Sequence, residues 1–468
     1  MESVSDRSIK ILGGVGAAVA IFFVYFFHLT TVGIGGTDEP RYAAIARSMA
    51  ASGDWITPRL FGVGWFEKPA LIYWMSAIGF RMGLSVDLAP RLPVAILSAA
   101  FLLFYYWVLR REFGTPAALY SCLLLGTSAF WIAFSNAAVP DLPLAAFFSA
   151  AILLALPWID DGNKRDLPFA AALIALAVLA KSLVPLVLLA PALWFGRKRL
   201  LDLLNARVLC TFLAIALPWY IACYARNGMP FIHTLFIQQQ FGRMTSGDLQ
   251  HVQSFWYYLA VLPGAIFPWI FLLPLLFRRG LYSDRRAQYL LATFVFGMVF
   301  FSASPNKLPG YILPLLPALF ALIGIRLAQT RFVGEFMLAS TLLLVFVPAA
   351  NLTLPRAMAK GLSQVWPLDM AAAANAMLWM PNLMVAGGAE MLAAKRWKPP
   401  AAVILAAGLV VYSVVYIKIK ALPGLDRAIS ARGRIVACIP PDTTRAMRYG
   451  LNYYAGTVVP DCPARQLK

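Results

Sequence analysis

ILGGVGAAVAIFFVYFFHLT, residues Ile11 to Thr30, is followed closely by GTDEPRY, residues Gly36 to Tyr42. The first stretch has the length and apolarity of a helix that crosses a bilayer, which needs about 20 such residues. The second sets Asp38, Glu39 and Arg41 against the end of that span. In a chain that is 61% hydrophobic and only 13% charged, a charged cluster at a span end marks a site at one membrane face. A second cluster, Phe66-Glu67-Lys68-Pro69, follows in the same segment.

Apolar runs of roughly 17 to 25 residues recur from end to end, so the sequence predicts an all-α, polytopic membrane protein. Mean hydropathy is +0.72. The 40 Lys and Arg against 21 Asp and Glu give a formal charge of +19. These cations fall in short loops between apolar runs, the distribution of a positive-inside membrane protein, and no basic-aromatic stripe in a soluble segment points to nucleic acid. The first span follows Arg7 and Lys10 but lacks a small-residue cleavage site, so it reads as a retained helix with a cytoplasmic N-terminus.

Threading from that start puts a first external loop at about 31–89. Spans then follow near Pro90 to Leu109, Ala117 to Phe134 and Pro143 to Ile159. The apolar run Leu167 to Phe195 is too long for one span and too short for two, which predicts two short helices turning near Lys181. Further spans are expected at Val208 to Cys223, Trp256 to Leu276, Tyr289 to Phe301, Ile312 to Leu327, Phe332 to Ala350, Met370 to Gly387 and Ala401 to Ile417. The total is about 13 helices, with the C-terminus outside. The expected organisation is a membrane domain over 1–420 and a small periplasmic α/β tail over 421–468. In the tail, Arg434 to Ile439 and Thr457 to Val459 read as strands and Thr443 to Tyr453 as a helix. Cys438 and Cys462 share the tail, where an oxidising compartment makes them a disulfide candidate. Cys122, Cys210 and Cys223 lie in apolar stretches and show no metal spacing.

The external segments collect Asp38, Glu39, Arg41, Glu67, Lys68, Asp141, Lys181, Arg243, Asp248, His251 and Lys307. Charges at membrane depth are costly, so this set is expected to line a water-filled cavity. Lysines and arginines converging with carboxylates suit a phosphate-bearing substrate. Three of these acids also have a structural alternative: Asp38 and Asp141 as helix caps, Glu67 with Lys68 as an interfacial ion pair. His251 is a lone histidine, a poor metal ligand, although a divalent metal requirement stays open.

Asp38 to Tyr42, Ser52-Gly53-Asp54-Trp55-Ile56, Trp65 to Pro69 and Tyr73-Trp74 resemble the first external loop of the ArnT family of aminoarabinose transferases, within the wider protein mannosyltransferase-like GT-C group. Gln250-His251 with Phe255 to Tyr258, and Asn306 to Pro314, are similar to that family's later loops. The resemblance covers about residues 8 to 330. It implies a GT-C fold, a periplasmic cavity, short amphipathic helices in the first loop, and a polyprenyl-phosphate-linked sugar as donor. It also implies Asp38 as the catalytic acid residue and Asp141 as its partner. Lys68, Arg243 and Tyr311 match positions that hold the donor phosphate; Arg41, Tyr42 and Glu67 shape the same cavity. Glu39, Lys181, His251 and Lys307 complete the expected substrate-facing set.

The implied function is an inverting glycosyltransferase in the bacterial inner membrane, moving 4-amino-4-deoxy-L-arabinose from undecaprenyl phosphate to lipid A. Asp38 is then either a general base, for a hydroxyl acceptor, or an orienting group, for a phosphate acceptor. The sequence departs from the family at Gln238-Gln239-Gln240, where an acidic residue and a histidine are usual, and in its short tail. Transfer to protein Ser/Thr or another envelope glycan is the alternative within the class. A secondary transporter or lipid flippase is the alternative outside it, disfavoured because no internal repeat is present and the charges gather at span ends.

Overall fold

The computed structural model describes residues 4–242, 252–277, 279–330, 333–342, 399–420 and 437–463. Helix α1 (Val4–Ile21) widens into a π-helical turn at Phe22–Phe26. The first loop then folds as α2 (Glu39–Ser52), a two-stranded hairpin pairing Arg59–Leu60 with Val63–Gly64, and α3 (Leu71–Arg81). Pro40 in the first turn of α2 loses nothing there, because first-turn amides have no intrahelical partner.

The membrane body continues with α4 (Leu88–Phe113), α5 (Thr115–Gly126), α6 (Ala129–Ser135), α7 (Asp141–Leu154), α8 (Leu156–Asp160) and α9 (Leu167–Lys181). Next come α10 (Val184–Leu188), α11 (Ala190–Phe195), α12 (Ala206–Asn227), α13 (Met229–Ile232) and α14 (Tyr257–Ile266). A 3-10 segment at Trp269–Phe277 leads to α15 (Arg285–Ala303), and another at Pro309–Leu315 runs into α16 (Leu316–Ala328). Helices α17 (Val333–Leu342), α18 (Pro399–Lys420) and α19 (Arg445–Ala455) complete the described chain.

Among the described residues, four helical segments are long and apolar enough to span a membrane, or six if two bent pairs each count as one span. The protein is therefore a multi-pass, all-α membrane protein. In the span Pro309–Ala328, 83% of the apolar window is buried, whereas in α12 only 17% is, so the former is the centre of the bundle and the latter presents its flank to lipid. Gly324 makes the central packing possible: a Cβ there would sit 2.0 Å from Ser121 Oγ on α5.

Several expected spans are not straight. The run expected over Ala117 to Phe134 bends by 62° between α5 and α6, and that over Trp256 to Leu276 bends by 118°. The two bends brace each other. Pro268 cannot donate to a continuing helix, and the Phe267 carbonyl accepts the Ala129 N–H at 2.9 Å, while Trp269 Nε1 donates to Thr127 Oγ1 at 3.2 Å. After Lys181 the chain breaks at Ser182, which has a left-handed φ of 62°.

Lys418 near the end of α18 donates to the carbonyls of Val24 and Phe27 at 2.8 and 2.9 Å and to Asn136 Oδ1 at 3.1 Å, joining the ends of three helical segments. The tail carries one described helix, α19, and a disulfide between Cys438 and Cys462. The strand expected at Thr457 to Val459 does not form. The Val459 N–H is taken by Asn452 Oδ1 at 2.9 Å, and the parallel bridge instead joins Ile439 to Asp461. The expected spans beyond 342, up to α18, and the domain boundary at 420 and 421 fall mostly or wholly outside the described residues.

Candidate active site

Asp38 occupies the N-cap position of α2 but makes no side-chain cap hydrogen bond. Its carboxylate instead accepts from Arg41 Nη2, one turn along the helix, so the capping alternative fails on geometry. Arg41 also donates from Nε to the Thr37 carbonyl at 2.8 Å and from Nη1 to Glu67 Oε2 at 3.1 Å. All three nitrogens of the guanidinium are thus used in its plane. Its central carbon lies over three aromatic rings: Trp65 at 5.6 Å, Tyr42 at 6.0 Å and Tyr449 at 5.3 Å from their centroids. Burial would lower the Arg41 pKa, but the neighbouring Asp38, Tyr42 and Glu67 outweigh it and hold the group firmly charged. Burial pushes the Tyr42 and Tyr73 phenols well up, so both remain neutral. Lys68 lies beside this group, 8% exposed, with Nζ donating to the Glu67 carbonyl at 3.2 Å.

A second group forms where three helix ends meet. Asp141 opens α7, Lys181 closes α9, and Tyr311 lies in the 3-10 turn before α16. Lys181 Nζ donates to Asp141 Oδ1 at 2.7 Å and stands 4.5 Å from the centroid of the Tyr311 ring. Gly310 is required here, because a Cβ would lie 2.8 Å from Asp141 Oδ1 and 2.6 Å from Phe134 Cζ.

Glu39 links the two groups and is committed in doing so. Its carboxylate pairs with Arg91 through two contacts of 2.7 Å and accepts the Ala138 N–H at 2.9 Å, a few residues before Asp141. Arg91 also donates to the carbonyls of Leu29, Val32 and Gly33. Glu39, expected from sequence to face substrate, is 7% exposed with three of its roughly four acceptor positions taken, so in this structure it serves as a buried strut. Lys307 is likewise committed. It is 4% exposed and donates to Gln253 O at 2.9 Å and Ser304 O at 2.5 Å, stapling the loop in which Val252 and Asn306 form a bridge. Burial lowers its pKa. Arg243, Asp248 and His251 lie outside the described residues.

Among the described residues no group of three or more His, Cys, Asp or Glu side chains could hold a metal ion. Asp38 and Asp141 each already face a cation of the chain itself. Arg91, Gly310 and Tyr449 were not singled out from sequence. Arg91 sits just inside an apolar span, where a lone arginine demands a buried partner, and that signal was there to be used.

A polytopic helical body thus carries paired carboxylates and cations at span ends beside a folded first loop. The family described as dolichyl-phosphate-mannose-protein mannosyltransferase matches residues 67–222. An undecaprenyl phosphate-alpha-4-amino-4-deoxy-L-arabinose arabinosyl transferase from Pseudomonas aeruginosa is 32% identical over 330 residues, covering 68% of this chain and 60% of that protein. Its counterpart from Aeromonas hydrophila is 30% identical over 315 residues, covering 64% and 57%. The crystal structure of ArnT from Cupriavidus metallidurans bound to undecaprenyl phosphate superposes with a TM-score of 0.77 at 23% identity, covering 98% of this chain and 86% of that one. The apo form of that protein gives a TM-score of 0.74. The chain thus shares the polytopic GT-C fold of ArnT and is similar in sequence to these arabinosyl transferases and, over residues 67–222, to the protein mannosyltransferase family. The matched region spans about 60% of the length of the curated relatives named.

Proposed function

We propose that this protein is an inverting glycosyltransferase that moves 4-amino-4-deoxy-L-arabinose from undecaprenyl phosphate to a phosphate of lipid A at the periplasmic face of the bacterial inner membrane. The observation that carries the reading is the pairing of an accessible carboxylate, Asp38, with a fixed guanidinium, Arg41, beside the Lys68 ammonium. The relatives named for this transfer supply the donor and sugar in the proposal.

In the proposed step an acceptor oxygen attacks C1 of the sugar while the C1–O bond to the lipid phosphate breaks on the opposite face. The electron pair of that bond leaves with undecaprenyl phosphate, whose growing negative charge Lys68 stabilises, with Arg243 and Tyr311 assigned to the same phosphate. A phosphate acceptor is already a nucleophile, so Asp38 orients it or balances the positive charge developing at C1. For a hydroxyl acceptor Asp38 would take the proton. Asp141, held by Lys181, stands beside Tyr311. A cationic sugar on lipid A lowers the negative charge of the cell surface and weakens binding of cationic peptides.

Mass spectra of lipid A from cells with and without the gene test the proposal. A gene-dependent gain of one aminopentose per modified phosphate supports it. Identical lipid A with a changed protein or envelope glycan would transfer the acceptor assignment to that molecule.

A further inference from the structure

The tail helix α19 reaches the site through three tyrosines. Tyr453 Oη donates to Val86 O at 2.6 Å, and Tyr454 Oη donates to Asp87 Oδ1 at 2.5 Å while accepting the Ile34 N–H at 2.7 Å. Arg47 of α2 reaches the Tyr453 carbonyl at 3.5 Å. These contacts fix α19 against both ends of the first loop. One turn earlier on the same helix, Tyr449 is delivered with its ring centroid 5.3 Å from the Arg41 guanidinium carbon.

We propose that Tyr449 is a positioning residue of the active site, its ring face holding the Arg41 guanidinium in the tilt that meets Asp38 and Glu67 together. Hydrogen bonds to Thr37, Glu67 and Asp38 constrain the guanidinium only through its edges. Its remaining freedom to tilt is limited by the rings it lies over, and Tyr449 is the nearest of these. A cation over a ring face is held by the ring quadrupole, which an aliphatic side chain of similar bulk lacks. Arg445 lies 5.6 Å from the same ring, a second cation drawn to it. The tail is therefore part of the site and not an appendage.

The activity readout rests on the proposed transfer, so it is paired with one that does not. The full-length protein is assayed as wild type, Tyr449→Leu, Tyr449→Phe and Tyr453→Phe, for transfer from the undecaprenyl-linked aminopentose to lipid A. The rate of Arg41 modification by phenylglyoxal is followed in parallel by peptide mass spectrometry. Tyr449→Leu is expected to lose roughly tenfold in kcat with donor KM little changed, and to expose Arg41 to faster modification. Tyr449→Phe keeps the ring and is expected within about twofold of wild type in both readouts. Tyr453→Phe removes one docking hydrogen bond while the Tyr454 and Arg47 contacts keep α19 in place, so it should behave as wild type. Equal behaviour of the Leu and Phe variants, or a loss in Tyr453→Phe matching that in Tyr449→Leu, overturns the proposal. If the wild type transfers nothing, the functional reading falls and the Arg41 modification rates decide this inference alone.

Discussion

Asp38 is the most open carboxylate of the site, its side chain 39% exposed against 19% for Glu67, 16% for Asp141 and 8% for Glu39. Openness makes it the acid that can meet a substrate while Arg41 holds its direction. Asp38→Asn is expected to leave the protein folded, since Arg41 keeps Glu67, and to cut transfer by about a hundredfold or more. Near-normal turnover of the purified variant would remove Asp38 from its assigned role. Lys68→Ala deletes a charged partner of the donor phosphate, a loss of about 1.5–3 kcal/mol, so binding of undecaprenyl phosphate should weaken roughly tenfold or more. Titration of the lipid into purified protein measures it. At this scale the sequence was legible where a residue's chemistry and its local neighbours decide, as with Asp38 and Arg41, a single helical turn apart. It was silent where the partner is distant: nothing near Glu39 announces Arg91, and nothing near Lys307 announces the Gln253 carbonyl.

Among the elements, the break between α5 and α6 and the bend after α14 support each other through the Ala129 to Phe267 hydrogen bond, which hydropathy alone could not reveal. An apolar run reports how much chain is buried in lipid or protein, not its direction. The Arg91–Glu39 pair ties α4 to α2 and, through Ala138, to the approach to α7. Both partners are almost fully buried, so removing one leaves an uncompensated charge, at a cost of about 3–5 kcal/mol. Arg91→Met should therefore lower the unfolding temperature in detergent by several degrees or abolish folding. The double variant Arg91→Met with Glu39→Gln should recover part of the loss. A single variant as stable as wild type would return Glu39 to the substrate-facing set.

Across the whole molecule, charge and docking give independent arguments for which loops share a face. Ion pairs of Arg111 with Asp166 and of Arg286 with Glu112 and Asp160 gather three of the basic turns together, at the face the positive-inside rule assigns to the cytoplasm. On separate grounds, the hydrogen bond from Ile34 to Tyr454 and the approach of Arg41 to the Tyr449 ring require the tail and the first loop to lie on one side. Sequence patterning supplied the basic turns of the first argument, because loop charge is local; the ion pairs that gather them and the second argument needed the fold, since more than 400 residues separate Ile34 from Tyr454. Single cysteines at Val63 in the first loop and Val458 in the tail, both exposed, should react with an impermeant maleimide in intact spheroplasts. A cysteine at Gly280, beside Arg326 in the basic turns, should react only after permeabilisation. The background must lack the free thiols Cys122, Cys210 and Cys223. Labelling at Val63 without labelling at Val458 would break the docked-tail arrangement, and labelling at Gly280 alone would invert the protein and place Asp38 on the side where a periplasmic acceptor cannot reach it.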